Sequence, residues 1–421
     1  MSGLSPDKAP SIFSPSDLPE IPTTSRPVKV GGRVVHVAGQ TLTLADAFGA
    51  LPVELAAPHT ITEGDLVVVL GVPRPGKLSR ATVAEHIRPA APPGAPASPT
   101  STPTETETAR LMNRGVGRAL AARAALFRTI RETFDARHFV EVDTPALVPS
   151  PGLDIHLDAF ETPGAGYLIT SPEYQMKRLL AGGIPRCFQL ARCFRRGEQG
   201  SRHNREFVML EWYRAFAGME EVIRDTEDLV RIAARELVGG SEIDVAGTVI
   251  DLGPPFERLT VARAFERYAG IDESRALAMA TDDEDRFFRL LVDRVEPGIA
   301  RSRRPIFLTG YPASQASLAR ISPTDPRVCE RFELYVGGVE LCNGFGELTD
   351  PAEQRARFER DQAERARTNK PVYPIDQRFI AALSEGMPPA AGNALGVDRL
   401  LALCLGEPSI ADVMAFPAPW L

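Results

Sequence analysis

The segment FRRGEQGSRHNREF, residues 194–207, concentrates positive charge in a chain that is acidic overall. It places four arginines and one histidine around two glutamates, whereas the whole chain has 48 basic and 55 acidic residues and a formal net charge of -7. Guanidinium groups bind phosphate and carboxylate oxygens through paired N–H donors. Because the overall charge offers no general attraction for an anion, we interpret this segment as a local anchor for phosphates.

The next segment, EFVMLEWYRAF (residues 206–216), alternates with a period of two, which is typical of a β-strand. One face carries rings and a carboxylate: Phe207, Met209, Glu211 and Tyr213. The other face is apolar and is predicted to lie in the core: Val208, Leu210, Trp212 and Phe216. An aromatic ring, a carboxylate and a phenol on one face indicate the floor of a binding site.

A second hairpin is predicted in RFELYVGGVELCNGFGEL, residues 331–348. A two-residue turn at Gly337-Gly338 would set the register, pairing Val336 with Val339 and Tyr335 with Glu340. This register predicts one shared face for Glu333, Tyr335, Glu340 and Cys342. Asn343 and Glu347 have the opposite parity, so the hairpin is expected to contain a bulge near Asn343-Gly344.

In that register Glu333 lies diagonal to Glu340, at roughly 7–8 Å between backbone positions. Two facing carboxylates repel each other unless a cation lies between them. Oxygen ligands with phosphate nearby suit Mg²⁺. The exposed-edge alternative, in which both acids only face water, is disfavoured by the arginine-rich segment.

A third element, ALGVDRLLALCL, is an apolar run followed by an amphipathic helix that begins near Gly396 and carries Arg399 in its first turn. A cation is unfavourable at the N-terminus of a helix unless an anion binds there as well. The element therefore predicts a second phosphate contact.

The positions of proline and the apolar patterns divide the chain into four parts. Residues 1–27 are predicted to be a disordered tail and residues 88–108 an extended linker, since both are rich in Pro, Ser or Thr and poor in apolar side chains. Residues 28–87 read as short strands between turns and predict a small all-β, OB-like barrel. Residues 109–421 form the remaining domain, opening with a helix over residues 109–137.

Composition excludes several classes of protein. The five cysteines show no CxxC spacing, which favours a reducing compartment without a zinc site, and no leader or membrane-spanning run is evident, so a cytoplasmic protein is expected. Residues 28–90 contain six Lys or Arg, five Asp or Glu, and one aromatic residue, Phe48. This near-neutral barrel is a weak candidate for nucleic-acid binding.

The order of these elements, with Pro145, Arg195 and Arg399 in successive motifs, resembles motifs 1, 2 and 3 of the class II aminoacyl-tRNA synthetases. Within that class, SPEYQMKRLL, FRRGEQGSRHNREFVMLEWY, RFELYVGGVELCNGFGELTD and ALGVDRL resemble the lysyl branch, over roughly residues 109–421. The resemblance implies an α+β fold: an antiparallel sheet flanked by helices, here preceded by the OB-like barrel. It also implies a homodimer.

The resemblance implies roles for individual residues. Contacts with ATP are implied for Arg195, Glu198, His203, Asn204, Phe207, Glu333, Glu340 and Arg399, with Arg195 and Arg399 as the catalytic pair. A pocket for a lysine-like substrate is implied at Ser171, Glu173, Glu211, Tyr213, Asn343, Glu347 and Ala394, and Mg²⁺ at Glu333 and Glu340. One departure is that Gly197 stands where the family's motif 2 has an acid, which leaves Glu198 one position away.

The implied chemistry is formation of an aminoacyl adenylate, and three readings of its use differ. The segments SPEYQMKRLL, YPASQASLARIS, RFELYVGGVELCNGFGELTD and PIDQRFIAAL resemble the elongation factor P lysine ligases more closely, and Ala394, where tRNA-charging relatives commonly have Gly, indicates the same branch. That branch transfers lysine or (R)-β-lysine to a lysine of elongation factor P and would not need tRNA. The barrel at residues 28–87 keeps a lysyl-tRNA synthetase as the alternative. A catalytically inactive regulator is disfavoured because Arg195, Glu333, Glu340 and Arg399 are all present.

Overall fold

The computed structural model describes residues 12–20, 26–89 and 106–420. The chain divides into two compact units, Met1–Ala121 and Ala122–Leu421. Most of the predicted linker, residues 90–105, lies outside the described residues, as do residues 1–11 and 21–25 of the predicted tail. Within residues 1–27, Phe13 forms a bridge with Val30, and Pro15–Glu20 form a 3-10 helix.

The first unit contains a closed five-stranded barrel. Its strands are β1 (Val28–Ala38), β2 (Thr41–Ala45), β3 (Ala50–Leu55), β4 (Leu66–Arg74) and β5 (Lys77–Ile87). Around the barrel, neighbouring strands are hydrogen-bonded in the order β1-β2-β3-β5-β4. Alternate apolar residues point inward, and Val30, Leu42 and Val69 are fully buried. This arrangement confirms the prediction of a small β-barrel domain.

The second unit is built on an eight-stranded sheet with two smaller sheets beside it. In chain order its strands are β6 (Val140–Glu141), β7 (Leu147–Val148), β8 (Glu161–Thr162), β9 (Gly166–Leu168), β10 (Arg186–Phe194), β11 (Glu206–Ala215), β12 (Glu242–Val245), β13 (Thr248–Asp251), β14 (Glu257–Thr260), β15 (Ile306–Pro312), β16 (Val328–Val336), β17 (Val339–Gly346) and β18 (Ala390–Gly396). The main sheet has the order β14-β15-β16-β17-β18-β11-β10-β6. Its six central strands are antiparallel, and only β14 and β6, at the edges, pair in parallel, so the predicted fold class is confirmed.

Ten α-helices are described, and several of them contact strands of the main sheet. They are α1 (Val116–Asp135), α2 (Glu173–Ala181), α3 (Met219–Val238), α4 (Val261–Ala269), α5 (Glu273–Asp282), α6 (Glu284–Leu290), α7 (Glu296–Ala300), α8 (Pro351–Arg367), α9 (Gln377–Gly386) and α10 (Val397–Leu405). The predicted helix over residues 109–137 is interrupted, because a π-turn at Ala109–Asn113 is followed by Gly115 with a φ of 82°. Among the described residues, no helix is both long and apolar enough to cross a bilayer.

Strand β11 follows the predicted alternation up to its last residue. Val208, Leu210 and Trp212 are buried as expected. Phe216 is not in the core: β11 ends at Ala215, Phe216 adopts a φ of 56°, and 81% of its surface is exposed. The strand's periodicity therefore does not extend to Phe216, because the chain turns before that residue.

The β16–β17 hairpin has the predicted turn but a different bulge. Tyr335 pairs with Glu340 as expected, yet Leu334 pairs with Cys342, so the register shifts at this point and Leu341 is the extra residue. The bulge thus lies closer to the turn than the predicted position at Asn343-Gly344. As a result Asn343 pairs with Glu333, whereas Cys342 leaves the face on which the sequence had placed it.

Candidate active site

A cavity of about 400 Å³ lies between α2, β11, the β16–β17 hairpin and the start of α10. Most of the predicted site residues line it: Ser171, Glu173, Arg195, Glu198, His203, Asn204, Phe207, Glu211, Glu333, Glu340, Asn343, Ala394 and Arg399. Tyr213 and Glu347 are both buried and are not among the lining residues. We call the part around Arg195 and Arg399 the arginine end, and the part around Glu173 and Glu211 the carboxylate end.

Arg195 is held in place before any ligand binds. Its Nε donates a hydrogen bond to the carbonyl oxygen of Thr170 at 3.4 Å, and its guanidinium lies 5.1 Å from the centre of the Phe207 ring. Arginine above an aromatic face is a favourable cation–π contact. The remaining N–H donors can therefore approach an anionic ligand from a defined position.

Glu198, one residue after Gly197, lies close to Arg195 in the folded chain. Gly197 adopts a φ of 89°, a left-handed conformation that favours glycine. The carboxylate of Glu198 lines the cavity and lies 3.6 Å from Nη1 of Arg195. The turn at Gly197 thus brings an acid back to Arg195, one residue later in the chain.

Arg399 has a similar arrangement of fixed contacts. Its Nη1 donates to the carbonyl oxygen of Glu340 at 2.8 Å, and its Nε donates to that of Arg202 at 3.2 Å. Its Nη2 lies 2.7 Å from Nε2 of His203, whose pKa is lowered by burial and by Arg399. The imidazole therefore remains neutral and accepts the hydrogen bond. Its hydrogen-bond partners are uncharged, and the only carboxylate paired with it in the described structure, that of Glu340, lies 3.9 Å away.

The two predicted metal ligands differ in their surroundings. Glu333 accepts hydrogen bonds from Tyr311 at 2.5 Å and Tyr335 at 2.8 Å on one oxygen, and from Arg331 at 2.7 Å on the other. Glu340 lies 3.9 Å from Arg399, and burial together with Glu333 raises its pKa to about 7. The sequence did not single out Arg331, although it shares the period-two face of Glu333.

The donor set can accept Mg²⁺ only with help from a ligand. Among the described residues, no group of three or more His, Cys, Asp or Glu side chains could hold a metal. Burial and the charge of Glu333 raise the pKa of Glu340 although Arg399 lies 3.9 Å away, whereas Glu333 is paired with Arg331 at 2.7 Å. This pattern fits a cation bound by one or two carboxylates and by phosphate oxygens, as Mg²⁺ usually is.

Glu211 is the fully buried acid of the carboxylate end. Its two oxygens accept hydrogen bonds from the hydroxyl of Ser171 at 2.6 Å and from the hydroxyl of Tyr213 at 2.8 Å. Burial and the charge of Glu173 raise its pKa to about 7. A bound ammonium group would favour the ionised form.

A buried lysine lies beside these acids. The side chain of Lys177, on α2, is fully buried, and its Nζ lies 2.6 Å from Glu173 and 2.5 Å from Glu347. Asn343 has a buried Oδ1 without a hydrogen-bond partner in the described structure, and Ala394 lies opposite Glu211 and Asn343 in the sheet. Sequence reasoning missed Lys177, although its spacing of four residues from Glu173 on one helix was visible.

Two further side chains have structural partners. The amide of Asn204 donates to the carbonyl oxygen of Glu206 at 2.7 Å and accepts from the backbone N–H of Ala418 at 2.9 Å. The buried carboxylate of Asp398 forms an ion pair with Arg123 and accepts from the N–H of Val208 at 2.9 Å. Asp398 therefore ties α1, β11 and α10 together; its place next to Arg399 was the only sequence signal.

The chain is similar to one family of known proteins and to curated relatives that share one name. Residues 100–419 match the family of class II tRNA synthetases (D, K and N). The chain is 43% identical over 323 residues to the elongation factor P–(R)-β-lysine ligase of Klebsiella pneumoniae strain 342, covering 70% of this chain and 94% of that protein. The ligases of the same name from Salmonella paratyphi B and Salmonella agona match with the same identity and coverage.

Proposed function

This chain belongs to the class II tRNA synthetases (D, K and N), and from this premise we propose that it is an ATP-dependent ligase acting on elongation factor P. It activates (R)-β-lysine or lysine as an adenylate and transfers the acyl group to a lysine side chain of that factor. The observation that carries the proposal is a single cavity in which fixed arginines stand at one end and buried carboxylates at the other.

The carboxylate end supports a substrate with amino groups. An isolated charge is costly to bury, so an ammonium group enters a buried pocket only where carboxylates replace its water. Glu211 and Glu173 line the cavity and supply those carboxylates, with Ser171 and Asn343 as polar neighbours. Ala394 lines the same wall, and the names of the relatives favour (R)-β-lysine as the first substrate to test.

At the arginine end we assign the roles that activation requires. The substrate carboxylate attacks the α-phosphorus of ATP, the bond to the bridging oxygen breaks, and pyrophosphate leaves. Arg195 contacts the α-phosphate and the carboxylate, Phe207 stacks on adenine, and Arg399 holds the γ-phosphate. Mg²⁺, bound by Glu340 and by the remaining lone pairs of Glu333, would neutralise phosphate charge. Catalysis then rests on positioning and charge stabilisation, without a protein nucleophile.

For the acceptor we favour elongation factor P over tRNA. The relatives that match over most of their length are named as ligases of elongation factor P. Binding of tRNA draws on clustered Lys and Arg, whereas residues 28–90 contain six basic and five acidic residues. We further propose a cytoplasmic homodimer, since the acceptor is a translation factor and two edge strands of different sheets, β6 and β7, expose Val140 and Leu147.

One reaction mixture tests the acceptor. The purified protein is incubated with ATP, Mg²⁺, radiolabelled (R)-β-lysine or lysine, elongation factor P and total tRNA. Label on elongation factor P supports the proposal, and omission of ATP serves as the control. Label on tRNA without label on elongation factor P would instead establish a lysyl-tRNA synthetase.

A further inference from the structure

The buried lysine of α2 joins two carboxylates that belong to different parts of the fold. Lys177 and Glu173 lie one helical turn apart on α2, whereas Glu347 follows β17. The side chains of Lys177 and Glu347 are fully buried, and 16% of the Glu173 side chain is exposed. The ammonium of Lys177 also lies 6.0 Å from the ring centres of Tyr213 and Phe345. It is thus enclosed by acids and aromatic rings.

The ion pairs keep Lys177 charged. Burial opposes its charge, but Glu173 and Glu347 more than compensate, and the pKa of Lys177 is raised above its ordinary value. A buried ammonium that lost one of these partners would remain uncompensated, which is strongly destabilising. The three groups therefore act as one unit.

The two carboxylates face different surroundings. Glu173 lines the cavity, so a bound substrate can contact its carboxylate. Glu347 lies behind the wall, where one oxygen pairs with Lys177 and the other, Oε1, has no hydrogen-bond partner among the described residues. A Cβ at Gly392 would lie 2.8 Å from that oxygen, so glycine at this position leaves room for Glu347.

We propose that Lys177 is a positioning residue, whose ammonium, anchored by Glu347, holds Glu173 in the orientation that receives an amino group of the substrate. The inference rests on the proposed function and names the charge balance of its amino-acid pocket. Glu173, Glu211 and Glu347 bring three carboxylates and Lys177 brings one ammonium. Two negative charges remain when all are ionised, which matches a substrate with two ammonium groups.

The test measures ATP–pyrophosphate exchange by the full-length protein with (R)-β-lysine and with L-lysine. Lys177→Met keeps the approximate shape of the side chain and removes its charge. We expect the KM for the amino substrate to rise by roughly tenfold or more, because Glu173 loses its fixed partner, and the KM for ATP to change by less than about twofold. Arg178→Met removes a charge from the adjacent position of the same helix and should leave both constants near those of the wild type.

The double variant Lys177→Met/Glu347→Gln separates positioning from folding. Removing a buried ion pair as a whole is often tolerated, so its melting temperature should exceed that of Lys177→Met. The KM for the amino substrate should stay raised, and no higher than in the worse single variant, because the two residues act together. If Lys177→Met does not fold, the double variant decides.

Three results would overturn the inference. The first is a wild-type KM for the amino substrate in the folded Lys177→Met protein or in the folded double variant. The second is that the effects of Lys177→Met and of the single variant Glu347→Gln on this KM are additive in the double variant. The third is that Arg178→Met raises this KM as much as Lys177→Met does. Pyrophosphate exchange by the wild-type protein tests the proposed function separately. Failure to exchange with either lysine would refute that function, whereas wild-type exchange with unchanged variants would refute only the role of Lys177.

Discussion

At the arginine end of the cavity, Arg195 and Arg399 lie 3.6 and 3.9 Å from the carboxylates of Glu198 and Glu340, and about a fifth of each arginine side chain is exposed. At the carboxylate end, Lys177 is fully buried, at 2.6 and 2.5 Å from two acids. The arginines are held mainly by backbone carbonyls, a neutral imidazole and a ring, so their charge remains available for an anion. The carboxylate end already contains a cation, which neutralises part of its charge.

This difference indicates how each end selects its ligand. An end whose arginines are partly exposed and only loosely paired with acids is suited to attract a polyanion such as a triphosphate. A buried end with a fixed internal cation can discriminate by the number and position of the ammonium groups it receives, since any unpaired charge there is costly. Variants at the two ends should therefore alter different kinetic constants.

The largest effect is expected at the arginine end. Arg399→Ala removes a cation whose hydrogen bonds fix it near Glu340 and His203. Pyrophosphate exchange should fall by roughly 10²–10³-fold in kcat/KM, the usual loss for one preorganised contact to a developing charge. Arg205→Ala removes an exposed arginine from the same loop and serves as the control. Equal losses in the two variants would show a general effect of charge instead.

At the carboxylate end, Glu211→Gln should raise the KM for the amino substrate and leave that for ATP nearly unchanged. The loss of a desolvated charge pair is expected to cost about 2–3 kcal/mol, or roughly 30- to 150-fold in KM. Glu206→Gln, in the same strand but partly exposed, is the matched control. A wild-type KM in Glu211→Gln would make Glu211 a structural residue of β11.

The carboxylate end also predicts a pH dependence of the KM for the amino substrate. The pKa of Glu211 is raised to about 7, so below that pH the acid is neutral and attracts an ammonium less. The KM for the amino substrate should fall by roughly tenfold between about pH 6 and about pH 8, whereas an amino substrate keeps its own charge over that range. Glu211→Gln should reduce this slope. A KM that does not change with pH would contradict the assignment.

As the pH rises, the affinity for the amino substrate should increase, whereas the contribution of Glu211 to the folding stability of the ligand-free protein should decrease. Because the pKa of Glu211 is higher in the folded chain than its ordinary value of 4.5, the folded state binds protons more tightly. Its contribution to stability is therefore lost as the pH rises from about 4.5 through about 7. Lysine should accordingly raise the melting temperature more at about pH 8 than at about pH 6. Glu211→Gln should weaken that difference, and equal lysine-induced shifts at both pH values would oppose this account.

Contacts between residues close in the sequence could be predicted, whereas contacts between distant segments could not. The period of two placed Glu211 and Tyr213 together because both belong to one strand. The Gly337-Gly338 turn set the pairing of Tyr335 with Glu340, but nothing local indicated which residue would be extruded as the bulge. The pairing of Lys177 with Glu347, and of Asn204 with Ala418, depends on segments that meet only in the folded chain.

The smallest effect concerns the loop that carries the arginines. Gly197 has a φ of 89°, and a Cβ built there would meet nothing within 4 Å. In Gly197→Ala only the backbone conformation is strained, at a cost of about 1–2 kcal/mol. We expect the KM for ATP to rise by roughly twofold to fivefold, since the loop must be held for Glu198 to approach Arg195, and the KM for the amino substrate to stay constant.

Gly200 offers the matched control in the same loop. A Cβ there also meets nothing within 4 Å, but its φ is not positive, so Gly200→Ala adds the same methyl group without the strain. If Gly197→Ala alone raises the KM for ATP, the left-handed turn is part of the arginine end's preorganisation. If the two alanine variants behave alike, the turn does not position Glu198, and the acid lost from motif 2 has no substitute in this loop.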